Sequence, residues 1–216
     1  LIAAAYSTGS GREADPVKAA DFSEKACNGK KASGCLMLGS AFQDGKGRPQ
    51  DQAKANAAFE KACALKDSLG CTSVGIIYVG EEGKPEDVKK GSPFLIKGCD
   101  LKDGNACFML GLIYENGRGF PVDAKKATAF FTKGCDYKDG AACTNLGGAL
   151  IKEGANAKGL EALEKSCALD SPNGCGMLGL YYLQGKIVTA DAAKGKASLT
   201  KACTLGFPPA CQMLKQ

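Results

Sequence analysis

Residues Gly104 to Gly140 read "GNACFMLGLIYENGRGFPVDAKKATAFFTKGCDYKDG" and hold one complete structural unit. Leu110, Gly111 and Tyr114 fall at i, i+1 and i+4, the spacing of one face of a short helix. The glycines of "ENGRG" end that helix. Asp123 is placed to cap a second helix, whose inward face carries Ala127, Phe130, Phe131 and Gly134. "DYKDG" then turns the chain. The unit is a helix, a glycine loop, a second helix and a turn.

Outward from this unit the same positions return, which marks a repeat protein. Cysteines come in pairs eight apart: Cys27/Cys35, Cys63/Cys71, Cys99/Cys107, Cys135/Cys143, Cys167/Cys175 and Cys203/Cys211. First cysteines are 36 residues apart, except that Cys135 to Cys167 is 32. Leu38, Val74, Leu110, Leu146 and Leu178 are each followed by glycine, at Gly39, Gly75, Gly111, Gly147 and Gly179. Glycine costs about 1 kcal/mol in a helix interior, so its return implies close approach of neighbouring helices. Ala26, Ala62, Gly98, Gly134, Ser166 and Ala202 are small for the same reason, and Phe42, Tyr78, Tyr114 and Tyr182 supply bulk between them. Asp15, Asp51, Asp87, Asp123 and Asp191 are read as the starts of second helices. "KEGANAKG", Lys152 to Gly159, has lost four residues and predicts a shorter loop. "LIAAAYSTGSGREADPVKA" at the N-terminus aligns without gaps to Met37–Ala55. The sequence thus begins inside a repeat, with no initiator Met and no basic-then-apolar leader, as after removal of a signal peptide or trimming.

Composition excludes several classes. Ala, Gly, Lys and Leu dominate, tryptophan is absent, and 44% of the 216 residues are hydrophobic, enough for a sizeable helical core. A net charge of +5 without an aromatic-basic platform argues against nucleic acid. No apolar run reaches the ~18 residues that span a bilayer. Histidine is absent. This removes Ser-His-Asp and Cys-His nucleophiles and His-bearing metal sites. There is no G-x-x-x-x-G-K-[ST] loop and no strand before a dinucleotide fingerprint. No catalytic residue, metal or cofactor is expected.

"LGLIYENGRGFPVDAKKATAFFTKGC" resembles the Sel1-like repeat, a relative of the tetratricopeptide repeat, and the cysteine pair in each unit resembles the Helicobacter cysteine-rich proteins. The resemblance implies an all-α, right-handed superhelical solenoid of antiparallel helix pairs, with each first helix lining the concave side. One solenoid domain over 1–216 is expected, with repeats at 1–32 (partial), 33–68, 69–104, 105–140, 141–172 and 173–208 and a partial capping helix at 209–216.

In this reading each cysteine pair brackets a helix end, a turn and the next helix start, so six local disulfides between adjacent repeats are the simplest pairing. Zinc and reduced thiols are the alternatives. Zinc favours closer cysteine spacing with histidine, and a redox pair would read C-x-x-C. Disulfides imply an oxidising compartment, hence a periplasmic or secreted protein.

Positions one, five and eight after the second cysteine lie on one flank of the first helix, which in tetratricopeptide arrays lines the groove. Here the flank holds Thr72, Ile76, Val79, Phe108, Leu112, Glu115, Thr144, Ile151, Leu180 and Leu183, with Asn105, Asn116 and Lys152 nearby. Leu36, Ser40 and Gln43 make the second repeat's share more polar. Burial of this flank within the array is the competing explanation. Two lysine ladders, Lys18, Lys54, Lys90, Lys126, Lys158 and Lys194, and Lys25, Lys61, Lys97, Lys133, Lys165 and Lys201, are read as a solvated outer face rather than an anion-binding strip. The expected function is a non-enzymatic scaffold, a monomer, binding a protein or peptide. The alternative, implied by the family, is a penicillin-binding protein or weak β-lactamase. "SLTK", Ser198 to Lys201, fits S-x-x-K and Ser171–Asn173 loosely fits a second motif, but K-T-G is missing and Lys201 is a repeat lysine.

Overall fold

A computed structural model describes residues 2–8, 13–80 and 84–215. Among these residues there are thirteen α-helices and no strand. They are α1 (Ile2–Thr8), α2 (Pro16–Asn28), α3 (Ala32–Asp44), α4 (Gln52–Ala64), α5 (Ser68–Val79), α6 (Pro85–Asp100) and α7 (Gly104–Asn116). After them come α8 (Ala124–Asp136), α9 (Gly140–Lys152), α10 (Asn156–Ala168), α11 (Pro172–Gln184), α12 (Ala192–Thr204) and α13 (Pro208–Met213). Two compact units form: Leu1–Ala106 with Arg118–Phe120, and Cys107–Gly117 with Pro121–Gln216. The first holds the helix pairs α1/α2, α3/α4 and α5/α6; the second holds α9/α10, α11/α12 and most of α7/α8.

The passage from a second helix to the next first helix takes three residues and closes the earlier helix in one way. At the end of α4 the Lys66 amide donates to the Cys63 carbonyl at 3.0 Å and the Asp67 amide to the Ala62 carbonyl at 3.1 Å. This is the Schellman closure, whose left-handed position usually belongs to glycine. Lys66 occupies it with φ 64°, and Lys30, Lys102, Lys138 and Asp170 do the same at φ 57° to 67°. Only the elbow before α13 uses glycine, Gly206 at φ 85°. The next residue then caps the following helix: Asp67 accepts from the Gly70 amide at 2.8 Å and Asp139 from Ala142 at 2.6 Å. One helix's last carbonyls and the next helix's first amides are thus satisfied by adjacent residues.

Each elbow is clasped covalently. Cys27–Cys35, Cys63–Cys71, Cys135–Cys143, Cys167–Cys175 and Cys203–Cys211 are disulfides with Cα separations of 4.4 to 4.8 Å. Cys99 and Cys107 are disulfide-bonded too, and none of the twelve cysteines is free. Closing so short a loop stabilises by about 2–3 kcal/mol on the chain-entropy account. Beside each clasp the small pre-cysteine residue admits the next helix. A Cβ on Gly34 would stand 2.5 Å from Ala26 Cβ, and one on Gly70 2.6 Å from Ala62 Cβ.

Within a pair, the first-helix glycine receives a side chain rather than a bare backbone. A Cβ on Gly39 would come 2.5 Å from Phe59 Cε1, one on Gly75 2.6 Å from Leu95 and one on Gly147 2.7 Å from Leu163; one on Gly111 would overlap Phe131. Phe59, Leu95, Phe131, Leu163 and Leu199 occupy one repeat position and are at most 1% exposed. These knobs, more than the expected Phe42, Tyr78, Tyr114 and Tyr182, fill the centre of each pair. The expected aromatics lie further out, Tyr78 stacked on Phe94 at 5.9 Å and Tyr114 on Phe130 at 5.7 Å.

Asp15, Asp51, Asp123 and Asp191 cap α2, α4, α8 and α12 through side chains that accept from the amide three residues on. Asp87 does not cap α6. That helix starts earlier, at Pro85, whose fixed φ and missing N–H suit the first helical position, and Asp87 sits in its first turn. The α9–α10 connection is short, as its lost residues require: α10 begins at Asn156 after Ala155, with no side-chain cap.

Three stability outcomes follow from this packing and its elbows. Gly111→Ala forces a methyl into Phe131 and destabilises by about 2–3 kcal/mol in urea unfolding. Gly148→Ala, whose nearest neighbour is Met177 Cε at 3.8 Å, instead stabilises by about 0.5–1 kcal/mol through helix propensity. Lys66→Gly relieves the left-handed strain and raises stability by about 0.5 kcal/mol after glycine's entropy cost; a lowered urea midpoint contradicts that account.

Candidate functional site

The first helices carry the candidate groove, and the structure divides its residues into two groups. In the first unit Thr72 and Val79 are buried, 3% and 1% exposed, whereas Ile76 is 38% exposed. Thr72 is buried because the next elbow needs it: its hydroxyl bonds to Asp103, and a Cβ on Gly98 would lie 2.7 Å from it. In the second unit Thr144 plays the same part, with Oγ1 2.7 Å from Ser166 Oγ and 3.1 Å from Ser171 Oγ. A threonine one place after the cysteine is therefore a polar peg for the following elbow. Phe108 stands at that place in α7 and packs on Phe131 at 6.2 Å, half-buried.

The other positions remain partly open. Leu112, Ile151 and Leu180 are half-buried, Leu183 is 40% exposed, and Asn105, Glu115, Asn116 and Lys152 are exposed. Ile151 and Leu183 also lean on small second-helix residues, since a Cβ on Gly159 would stand 2.5 Å from Ile151 and one on Gly195 2.7 Å from Leu183. The open stripe is displaced along the helix surface from the expected flank. On α5 it runs through Leu69, 55% exposed, then Ser73, Ile76 and the half-buried Ile77. Spacings of four, three and one keep these on one face. Leu69 was missed because it lies before the cysteine, yet a leucine two places short of a buried helix position is visible in the repeat register. On α11 the corresponding residues are Asn173, Met177, Leu180 and Tyr181.

The first lysine ladder is engaged by its own repeats. Lys18, Lys54, Lys126 and Lys194 each pair with the cap aspartate three residues earlier, at 3.0 to 4.0 Å. Each also lies over a ring, Tyr6, Phe42, Tyr114 and Tyr182, at 5.0 to 5.6 Å. The cap aspartates Asp15, Asp51 and Asp123 are held below the usual carboxylate range, chiefly by the backbone N–H of the lysine residue. Burial and the Glu164 carboxylate that accepts from its hydroxyl at 2.9 Å push the Tyr182 phenol up. In the S-x-x-K segment, Lys201 Nζ donates to the Cys167 carbonyl at 2.7 Å and pairs with Asp170 at 2.8 Å. That lysine thus tethers α12 to the preceding elbow. No group of three or more potential metal ligands occurs among the described residues, and none of their helices is long and apolar enough to cross a membrane.

The Sel1 repeat matches residues 1–30, 32–67, 104–136 and 172–207, more than half of the sequence, and the chain belongs to the Sel1 repeat family. The two longer unmatched stretches, 68–103 and 137–171, include Pro93 inside α6 and the shortened α9–α10 connection. Among solved structures, c5321 of uropathogenic Escherichia coli, a protective antigen displaying an SLR fold, is 23% identical at a TM-score of 0.86, over 99% of this chain and 46% of that one. This chain thus spans about half the length of that protein. A Sel1 repeat protein from Oxalobacter formigenes is 23% identical at 0.84, over 94% of this chain and 85% of that one. Helicobacter pylori cysteine rich protein B (hcpB) is 28% identical over 76% of this chain and 96% of that one, at a TM-score of 0.33. No curated protein matches the sequence.

The lowered cap aspartates set a pH dependence. A carboxyl with a depressed folded pKa stabilises fully above the unfolded value, about 3.9, and loses that contribution as pH falls through the folded value. Replacing Asp51 and Asp123 by Ala lowers the urea midpoint at pH 7 and makes the further drop from pH 5 to pH 2 shallower than in the parent protein. Equal slopes for the two proteins would show that the caps do not carry this effect.

Proposed function

We propose that the chain is an extracytoplasmic, non-enzymatic scaffold that binds a protein or peptide segment through the open faces of its first helices. The observation that carries this reading is the apolar surface left after stacking is complete. Leu69, Ile76 and Leu183 are 55%, 38% and 40% exposed on helices whose opposite faces are fully packed. Arrays of stacked helix pairs characteristically use such surfaces for recognition, and Sel1 repeats are a scaffold of this protein-binding kind. The exposed amides of Asn105, Asn116 and Asn173 offer hydrogen bonds to a peptide backbone beside the apolar contacts. The proposed contact residues are Ile76 in the first unit and Phe108, Leu112, Glu115, Ile151, Lys152, Leu180 and Leu183 in the second, while Thr72, Val79 and Thr144 serve the stacking within their own units.

Disulfides at every elbow support the location, because such bonds persist where the surroundings are oxidising, as in a periplasm or outside the cell. Covalent elbows also suit recognition: a groove whose walls are held in place loses little entropy when a partner docks.

Peptides selected from a displayed library on the intact protein test the reading. Leu69→Asp with Ile76→Asp, and separately Leu183→Asp, weaken the selected peptides by about tenfold or more, equivalent to about 1.4 kcal/mol, with the circular dichroism spectrum unchanged. Affinity unaltered by all three changes in correctly folded protein rejects this surface as the groove.

A further inference from the structure

The left-handed position of the elbow is lysine four times, although the fold does not ask for one. Lys30, Lys66, Lys102 and Lys138 hold φ of 57° to 67°, a conformation that glycine adopts readily. Gly206 closes α12 in the same way, so the closure is complete without a lysine side chain. A strained residue that returns at one station points to a use for its side chain. Lys30, Lys66 and Lys102 belong to the first unit.

In that unit the elbows 29–31, 65–67 and 101–103 share one edge. Each is a three-residue reversal between antiparallel neighbours, and α2 packs on α4 and α3 on α5. The ends of α2, α4 and α6 therefore lie on the same side. Their last turns and elbows, residues 25–31, 61–67 and 97–103, carry seven lysines and three aspartates. All seven lysines are exposed. Two of the aspartates are turned into the following helix. Asp67 accepts from the Gly70 amide, and Asp103 from the Asn105 amide at 3.1 Å and the Thr72 hydroxyl. Among the described residues no carboxylate pairs with Lys30, Lys31, Lys66 or Lys102. The corresponding stretches of the second unit, 133–139, 165–171 and 201–207, hold four lysines and three aspartates. There Asp170 takes the place of an elbow lysine and pairs with Lys201 at 2.8 Å.

Apolar side chains accompany the charges of the first unit. Leu65 and Leu101 directly precede Lys66 and Lys102; Leu65 is 37% exposed and Leu101 half-buried. A row of lysines alone suits any polyanion. Leucine beside lysine suits an anionic bilayer, whose headgroups take the ammonium while the leucine reaches the acyl boundary. Arginine is absent from these stretches, so the edge meets diffuse negative charge rather than one phosphate held in a fork.

We infer that the elbow edge of the first unit is a docking surface for an anionic lipid bilayer. The inference goes beyond the scaffold reading and does not depend on it. Lys30, Lys31, Lys66 and Lys102 face the headgroups, each strengthening binding by about fivefold at low salt, and Leu65 enters between them.

Co-sedimentation of the intact protein with vesicles is the test. Phosphatidylcholine vesicles containing about 30% phosphatidylglycerol are the probe, and pure phosphatidylcholine vesicles the comparator. Binding to the anionic vesicles only, lost between about 0.05 M and about 0.5 M NaCl, is expected. Lys30→Gly, Lys66→Gly and Lys102→Gly together remove three charges without straining the elbows, and weaken binding by about tenfold or more. The same three changed to Arg bind as the parent does. Lys125→Gln, Lys158→Gln and Lys196→Gln together remove equal charge from the second unit and stay within about twofold of the parent. Leu65→Ser weakens vesicle binding by about threefold but leaves the binding of dextran sulfate unchanged. No binding to the anionic vesicles, equal binding to both kinds, or equal losses in the Gly and Gln variants overturns the bilayer surface. So does capture of dextran sulfate with vesicle binding indifferent to Leu65→Ser, which would mark the edge as a site for a soluble polyanion. The peptide selection alters none of these residues, so either proposal fails or stands without the other.

Discussion

The elbow is the element from which the other features of this chain are built. In three residues it closes one helix by a Schellman motif, at four of the six elbows offers an acidic or hydroxyl side chain to the first amides of the next helix, and carries a disulfide across the bend. A turn so short leaves little freedom in the angle between successive helices, and the covalent bond removes much of what remains. Repetition of this bend lets a period of 36 residues rebuild the same helix pair within each unit. The clasp also explains how lysine can sit at left-handed φ at four elbows: strain of this kind persists where the surrounding structure over-determines it.

Between elbows, the pair is held by a knob in a glycine-floored hole. Phe59 against Gly39 and Phe131 against Gly111 place the most deeply buried rings where two helices touch. This contact is directional in a way a generic leucine seam is not, since a single methyl on the glycine displaces the ring. It also frees the opposite side of the first helix from structural duty. The surface that includes Leu69 and Ile76 is available for recognition because the stacking load is carried elsewhere.

Lys18, Lys54, Lys126 and Lys194 of the first lysine ladder are engaged within their own pairs, by an aspartate at the helix start and a ring beneath.

Much of this was legible in the residues alone. The period, the helix–loop–helix unit, four of five expected caps and the local pairing of cysteines all depend on contacts within about one repeat, where spacing translates directly into proximity. The shortened loop after α9 was legible for the same reason. Two features required the tertiary structure. Thr72 and Thr144 turned out to be pegs because the groups they bind, Asp103 and Ser166, arrive from the following elbow. Asp87 is not a cap because α6 starts at Pro85 with Lys84 at its N-cap, a local competition that repeat alignment hides. Sequence spacing determines which residues share a helix face; packing between successive repeats decides which of those faces stays open.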